Sequence, residues 1–132
     1  MLLTGDIERV SETLLVARGA QSLRSDVLLV PHHGSKTSSS GEFLEAVAPA
    51  IAVIPNGYRN RFGHPNAEVL ERYAALRVKV LRTDRDGAIT VRIGADSLSA
   101  ALERERGRRY WHPRWGQEHN RGAEFPATNS RR

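Results

Sequence analysis

Two short segments hold the residues best suited to chemistry. Leu3-Thr4-Gly5-Asp6 stands at the start of the chain, and Val30-Pro31-His32-His33-Gly34-Ser35 follows after one intervening segment. In each, an apolar run stops at a glycine or proline and then presents a carboxylate or an imidazole. Side chains just past a strand end are held by rigid backbone, and Asp and His in such places read as metal ligands or acid/base groups. His64, between Gly63 and Pro65, is a further candidate on a loop before a helix. Ser35 and the run Ser38–Ser40 add hydroxyl and backbone N–H donors suited to phosphate oxygens.

Each candidate has a plainer alternative. Asp6 suits the N-cap of a following helix equally well, and the two roles are compatible. A histidine pair can sit on an exposed loop without function, a serine-rich loop can be a linker, and a loop histidine such as His64 can be structural. His32 and His33 are adjacent, so on extended backbone they point to opposite sides, one toward a metal and the other toward substrate or the metal's surroundings. Asp84 and Asp86 are assigned to turn chemistry. His112 and His119 are given no role, and Trp111 and Trp115 are read as part of a frayed tail.

The elements that would position these residues alternate. Leu2 to Thr4 reads as a strand, 7–18 as a helix with Val10, Leu14 and Ala17 on its apolar face, and Asp26 to Val30 as a buried strand ended by Pro31. Phe43, Leu44 and Val47 form one helical face, Ile51 to Ile54 a buried strand, and Asn66 caps a helix bearing Val69, Leu70, Tyr73 and Leu76. Val78 to Leu81 and Ala88 to Ile93 read as strands joined by a tight Asp-Gly hairpin. The pattern implies an α/β layer with a mainly parallel sheet and an antiparallel edge. Asp6, His32, His33 and the 56–64 loop then all follow carboxyl ends of strands, where α/β sheets gather their ligands.

Composition narrows the classes. The chain of 132 residues has room for one domain, placed at 1–100, with 101–132 read as a basic, disordered tail. Residues 1–100 hold 12 Arg/Lys against 11 Asp/Glu, a net of +1, whereas 101–132 hold 8 against 4, a net of +4. The basic excess therefore lies mostly in the tail rather than on a folded patch. No apolar run approaches a membrane span and no signal-peptide pattern is present, so the chain as given is expected to be soluble. There are no cysteines, so a metal would rest on His and carboxylate, a donor set that suits Zn²⁺, Mn²⁺ or Fe.

The segments Leu2 to Ile7, Asp26 to Ser35, Arg61-Phe62-Gly63-His64-Pro65 and Leu81 to Ile89, in this order and spacing, resemble the C-terminal part of the metallo-β-lactamase-fold domain of ComEC-type competence DNA-uptake proteins. The resemblance runs from about residue 2 to 93. It implies a partial αββα sandwich, roughly the C-terminal half, with a mixed sheet and flanking helices. It also implies a metal pair (Zn or Mn in the complete domain) bridged by Asp6 and bound by His33. His32 and Ser35, and His64 beyond them, would face substrate phosphate. The family's His-x-His-x-Asp-His motif is absent, because the five histidines stand at 32, 33, 64, 112 and 119. The expectation is a fragment of a metal-dependent phosphodiesterase acting on DNA during natural transformation. Metal should bind weakly or not at all to this chain alone, which would be inactive. Full-length relatives would be bacterial proteins of the cytoplasmic membrane. The rival expectations are a non-catalytic remnant or binding module using its basic tail, and a subunit completed by another chain.

Overall fold

The computed structural model describes residues 1–106 and 125–126, which fall into two units, Met1–Arg85 and a second beginning at Asp86. In the first unit, strands β1 (Leu2–Leu3), β2 (Val27–Leu29), β3 (Ile51–Ile54) and β4 (Lys79–Arg82) form one sheet in sequential order. All three pairings are parallel, with Leu2 opposite Leu28, Leu28 opposite Ala52 and Ala52 opposite Val80. Parallel neighbours need crossover connections, and helices α1 (Arg9–Gly19), α2 (Gly41–Val47) and α3 (Ala67–Ala75) provide them. Alternate strand residues Leu28, Val30, Ala52 and Ile54 join Phe43, Leu44, Val47, Val69 and Tyr73 in one buried cluster.

The ends of these elements follow local chemistry. The Asn66 side chain accepts from Glu68 N at 3.0 Å and so caps α3. Ala48, in the left-handed region, closes α2 through a bond from its N–H to Leu44 O. Pro31 ends the β2 segment because it has no N–H to donate.

Helix α1 presents a different face from the one its sequence suggests. Val10 is 76% exposed and Leu14 53% exposed, while Glu12 is fully buried and Leu15 and Val16 pack against the core. The Glu12 carboxylate accepts from Ser39 N at 2.6 Å and from Ser40 N at 2.9 Å, at the N-cap of α2 and the residue before it. Two charge-assisted bonds at a helix N-terminus outweigh the burial of two aliphatic side chains, so the polar residue turns inward.

The second unit is antiparallel. β5 (Ile89–Ile93) pairs with β6 (Ser97–Leu102), and β6 pairs with β7 (Phe125–Pro126). A short helix α5 (Glu103–Arg106) follows β6. Parallel and antiparallel pairing are therefore both present, divided between two sheets. The expected hairpin between β4 and β5 is replaced by a helical turn, α4 (Thr83–Asp86), and β5 finds its partner in β6 instead. The basic stretch read as a tail, with His112, His119 and both tryptophans, lies outside the described residues. No helix among the described residues is long and apolar enough to cross a membrane.

Candidate functional site

The candidate residues converge at the carboxyl ends of β1, β2 and β3. The Thr4 hydroxyl donates to Leu29 O at 2.7 Å and locks the end of β1 onto β2. Gly5, at φ +58, then turns the chain and accepts from His32 N at 3.1 Å. Thr4 anchors, Gly5 bends and Asp6 is presented beside the second segment.

Pro31–Gly34 is a tight turn rather than extended backbone. His32 (φ 45, ψ 43) and His33 (φ 54, ψ 20) both occupy the left-handed region, and Gly34 follows at φ +81. Two consecutive non-glycine residues there cost roughly 1–2 kcal/mol each, an expense that concentrates at functional sites. Gly34 is also required by packing: a Cβ on it would lie 2.7 Å from Pro65 Cβ and 3.2 Å from Pro65 Cα. That close approach, with Asn66 N donating to Gly34 O at 2.9 Å, joins the turn to the His64 loop.

The turn aims the two imidazoles differently. His33 Nδ1 donates to Pro55 O at 2.6 Å, because a carbonyl can only accept. In the neutral ring this leaves the Nε2 lone pair pointing outward, 3.6 Å from Asp6 Oδ1. Two acceptors facing each other are satisfied by a water that donates to both or by a metal cation that both can ligate. A backbone carbonyl behind one ring nitrogen is also how metal-binding histidines are oriented. His32 Nδ1 lies 2.9 Å from Glu8 Oε1, near enough for charge attraction but without hydrogen-bond geometry, so the buried nitrogen has no hydrogen-bond partner. The His32 ring meets His64 edge-on, with centroids 6.1 Å apart.

His64 is positioned through its backbone. Asn60 Oδ1 accepts from His64 N at 3.0 Å, and Asn60 Nδ2 and Asn56 Nδ2 donate to His64 O at 2.6 and 2.9 Å. Asn56 is held in turn by Thr83, whose hydroxyl accepts from Asn56 N and donates to Asn56 O, both at 2.8 Å. His33, His64, Asn56, Asn60 and Phe62 line an open recess of about 210 Å³.

The serines divide. Ser35 Oγ bonds Thr37 Oγ1 at 3.1 Å, and Thr37 donates to Glu8 Oε1 at 3.1 Å, a hydroxyl chain that ends on the carboxylate beside His32. Ser38–Ser40 were expected to offer donors to phosphate, but those donors are used inside the protein. The Ser38 hydroxyl serves Pro31 O and Ser35 O, the Ser39 hydroxyl meets Tyr73 Oη at 3.0 Å, and the Ser39 and Ser40 N–H groups serve Glu12. Arg72 closes this network with bonds to Ser38 O and Ser39 O. Burial pushes the Tyr73 hydroxyl above the usual tyrosine range.

Asp6 and His33 therefore come together, and His32 and His64 form a neighbouring pair. Ser35 stands behind them on the Glu8 side. Glu8, Asn56, Asn60 and Glu12 were not anticipated. Glu8 alone had a readable signal, as a second carboxylate two residues after Asp6. No group of three or more His, Cys, Asp or Glu converges as a metal cage among the described residues, so a metal at Asp6 and His33 would need further donors.

This arrangement belongs to a stretch of sequence shared with known proteins. Its relatives include a competence protein. The chain is 44% identical over 100 residues to Competence protein ComA of Neisseria gonorrhoeae, covering 76% of this chain and 14% of that protein. It is 41% identical over 91 residues to ComE operon protein 3 of Bacillus subtilis, covering 69% of this chain and 12% of that protein. Recombination protein 2 of Haemophilus influenzae is 38% identical over 99 residues, 74% of this chain and 12% of its own length. The chain thus spans only 12–14% of the length of these relatives. No family model matches it, and no solved structure matches it either.

Proposed function

We propose that this segment supplies one side of a divalent-metal site for phosphodiester hydrolysis of DNA in natural transformation. In this reading the parallel sheet and its helices form roughly the C-terminal half of a metallo-β-lactamase-like αββα sandwich. The observation that carries it is the Asp6 carboxylate facing His33 Nε2 at 3.6 Å, with the opposite ring nitrogen fixed on Pro55 O. The relatives' names support the biological setting.

Asp6 and His33 would hold the metal, Zn²⁺ or Mn²⁺, which when bound polarises a phosphoryl oxygen and activates a water. Pro55 O keeps the His33 ring in the tautomer that leaves Nε2 free to ligate. His32 and His64 would donate to phosphodiester oxygens, with the Glu8 carboxylate 2.9 Å from His32 Nδ1 and His64 set by the asparagine clamp. Ser35, with Thr37, steadies Glu8. Two protein ligands are fewer than the three that catalytic zinc sites use, which favours completion by residues from elsewhere, in a longer polypeptide or a second chain.

The test joins this chain to a segment carrying His-x-His-x-Asp-His and follows cleavage of labelled DNA with Mn²⁺. The 132-residue chain alone should not cleave. In the completed protein, Asp6→Ala and His33→Ala should abolish cleavage and metal binding by calorimetry. His32→Ala and His64→Ala should lower turnover about a hundredfold with metal retained. Cleavage that survives Asp6→Ala would overturn the assignment.

A further inference from the structure

The loop between β3 and α3 carries a surface the metal chemistry does not require. Within nine residues, Asn56 to His64, stand Tyr58 at 50% and Phe62 at 68% exposure, with Arg59 and Arg61 between them. Arg59 Cζ lies 5.3 Å over the Tyr58 ring and Arg61 Cζ lies 5.0 Å over the Phe62 ring. The segment contains no Asp or Glu, and among the described residues no carboxylate pairs with Arg59 or Arg61. Asn60 and Asn56 clamp the His64 end of the loop, next to Phe62. Phe62 stacks on His64 with centroids 6.1 Å apart and an interplanar angle of 20°, so the aromatic row runs into the His33 recess.

We infer that this loop is a seat for single-stranded DNA, with bases stacking on Phe62 and Tyr58 and Arg59 and Arg61 pairing the phosphates between them. Interleaved aromatic rings and cations are the chemistry by which unpaired strands are bound, because every base has a π-face and only an unpaired base exposes it. A guanidinium resting on a ring is a flat group that a base replaces, and the released cation then meets the adjoining phosphate. The inference rests on the reading of the neighbouring site as one that acts on DNA, and it adds the strandedness and the seat.

The experiment uses the full chain and fluorescence anisotropy of a labelled dT₁₂ oligonucleotide in EDTA, so that no cleavage is read and failure of the metal site is a separate result. Phe62→Ala should weaken dT₁₂ binding about tenfold and leave binding of an abasic 12-mer unchanged. The residues beyond Arg106 are identical in wild type and variant, so their contribution to each ligand cancels when the two proteins are compared. The Arg59→Ala/Arg61→Ala double variant should weaken both ligands and flatten the dependence of log affinity on log salt by about 1.4, two phosphate contacts on a single strand. Melting of both variants should match wild type, since the replaced side chains are exposed. Equal binding of dT₁₂ by wild type and Phe62→Ala would overturn the inference. Duplex DNA losing as much affinity as dT₁₂ on Phe62→Ala would overturn it too, because paired bases offer no face to the ring.

Discussion

Replacing Gly34 by alanine tests the turn that builds the candidate site. A Cβ at φ +81 costs roughly 1–2 kcal/mol by itself. The same Cβ would lie 2.7 Å from Pro65 Cβ and 3.2 Å from the Pro65 backbone, neither of which is the free end of a flexible side chain. Forcing these apart adds about 1–3 kcal/mol, and reduced freedom of the unfolded chain returns about 0.4–1 kcal/mol. The net expectation is a loss of about 3 kcal/mol, or a fall in Tm of about 12–24 °C for a unit of this size. Gly5→Ala is the matched control: Gly5 is also at positive φ, +58, but nothing lies within 4 Å of its Cβ position. It should lose only about 1 kcal/mol, about 4–8 °C. Urea denaturation followed by circular dichroism reads both. If the two variants lose the same stability, the contact between Gly34 and Pro65 does not hold the turn against the His64 loop, and the reasoning fails.

Three further outcomes follow from the same packing. Glu12→Ala leaves Ser39 N and Ser40 N without their acceptor and should cost about 3 kcal/mol in urea denaturation, more than Glu12→Gln, which keeps one acceptor oxygen. Val10→Ser and Leu14→Ser should each stay within about 0.5 kcal/mol of wild type in the same measurement, despite removing apolar side chains from a helix, because both are exposed. Tyr73 ionises at higher pH folded than unfolded, so its contribution is fully present below the unfolded value of about 10 and is lost as pH rises beyond it. Stability measured between pH 9 and 11 should therefore fall in wild type and fall less steeply in Tyr73→Phe.

The sequence by itself determined the order of elements in the first unit and the place of the candidate site. Apolar runs stopped by Gly5 or Pro31, the Asn66 cap and the apolar face of Phe43, Leu44 and Val47 are local signals, and each survives in the folded chain. A parallel sheet read in sequence order then forces Asp6, the histidine pair and the 56–64 loop to the same strand ends. What only the tertiary structure decided depends on partners distant in sequence. Glu12 turns inward because Ser39 and Ser40, far along the chain, offer it two backbone N–H groups, and no periodicity in α1 contains that information. His32 and His33 leave extended geometry because the turn must pass Gly34 against Pro65. β5 pairs with β6 over five positions, and residues 83–86 form a helical turn where the Asp-Gly signal reads as a hairpin. Which ring nitrogen of His33 faces Asp6 is decided by Pro55 O, a carbonyl that every residue carries and that only the folded chain can put in place.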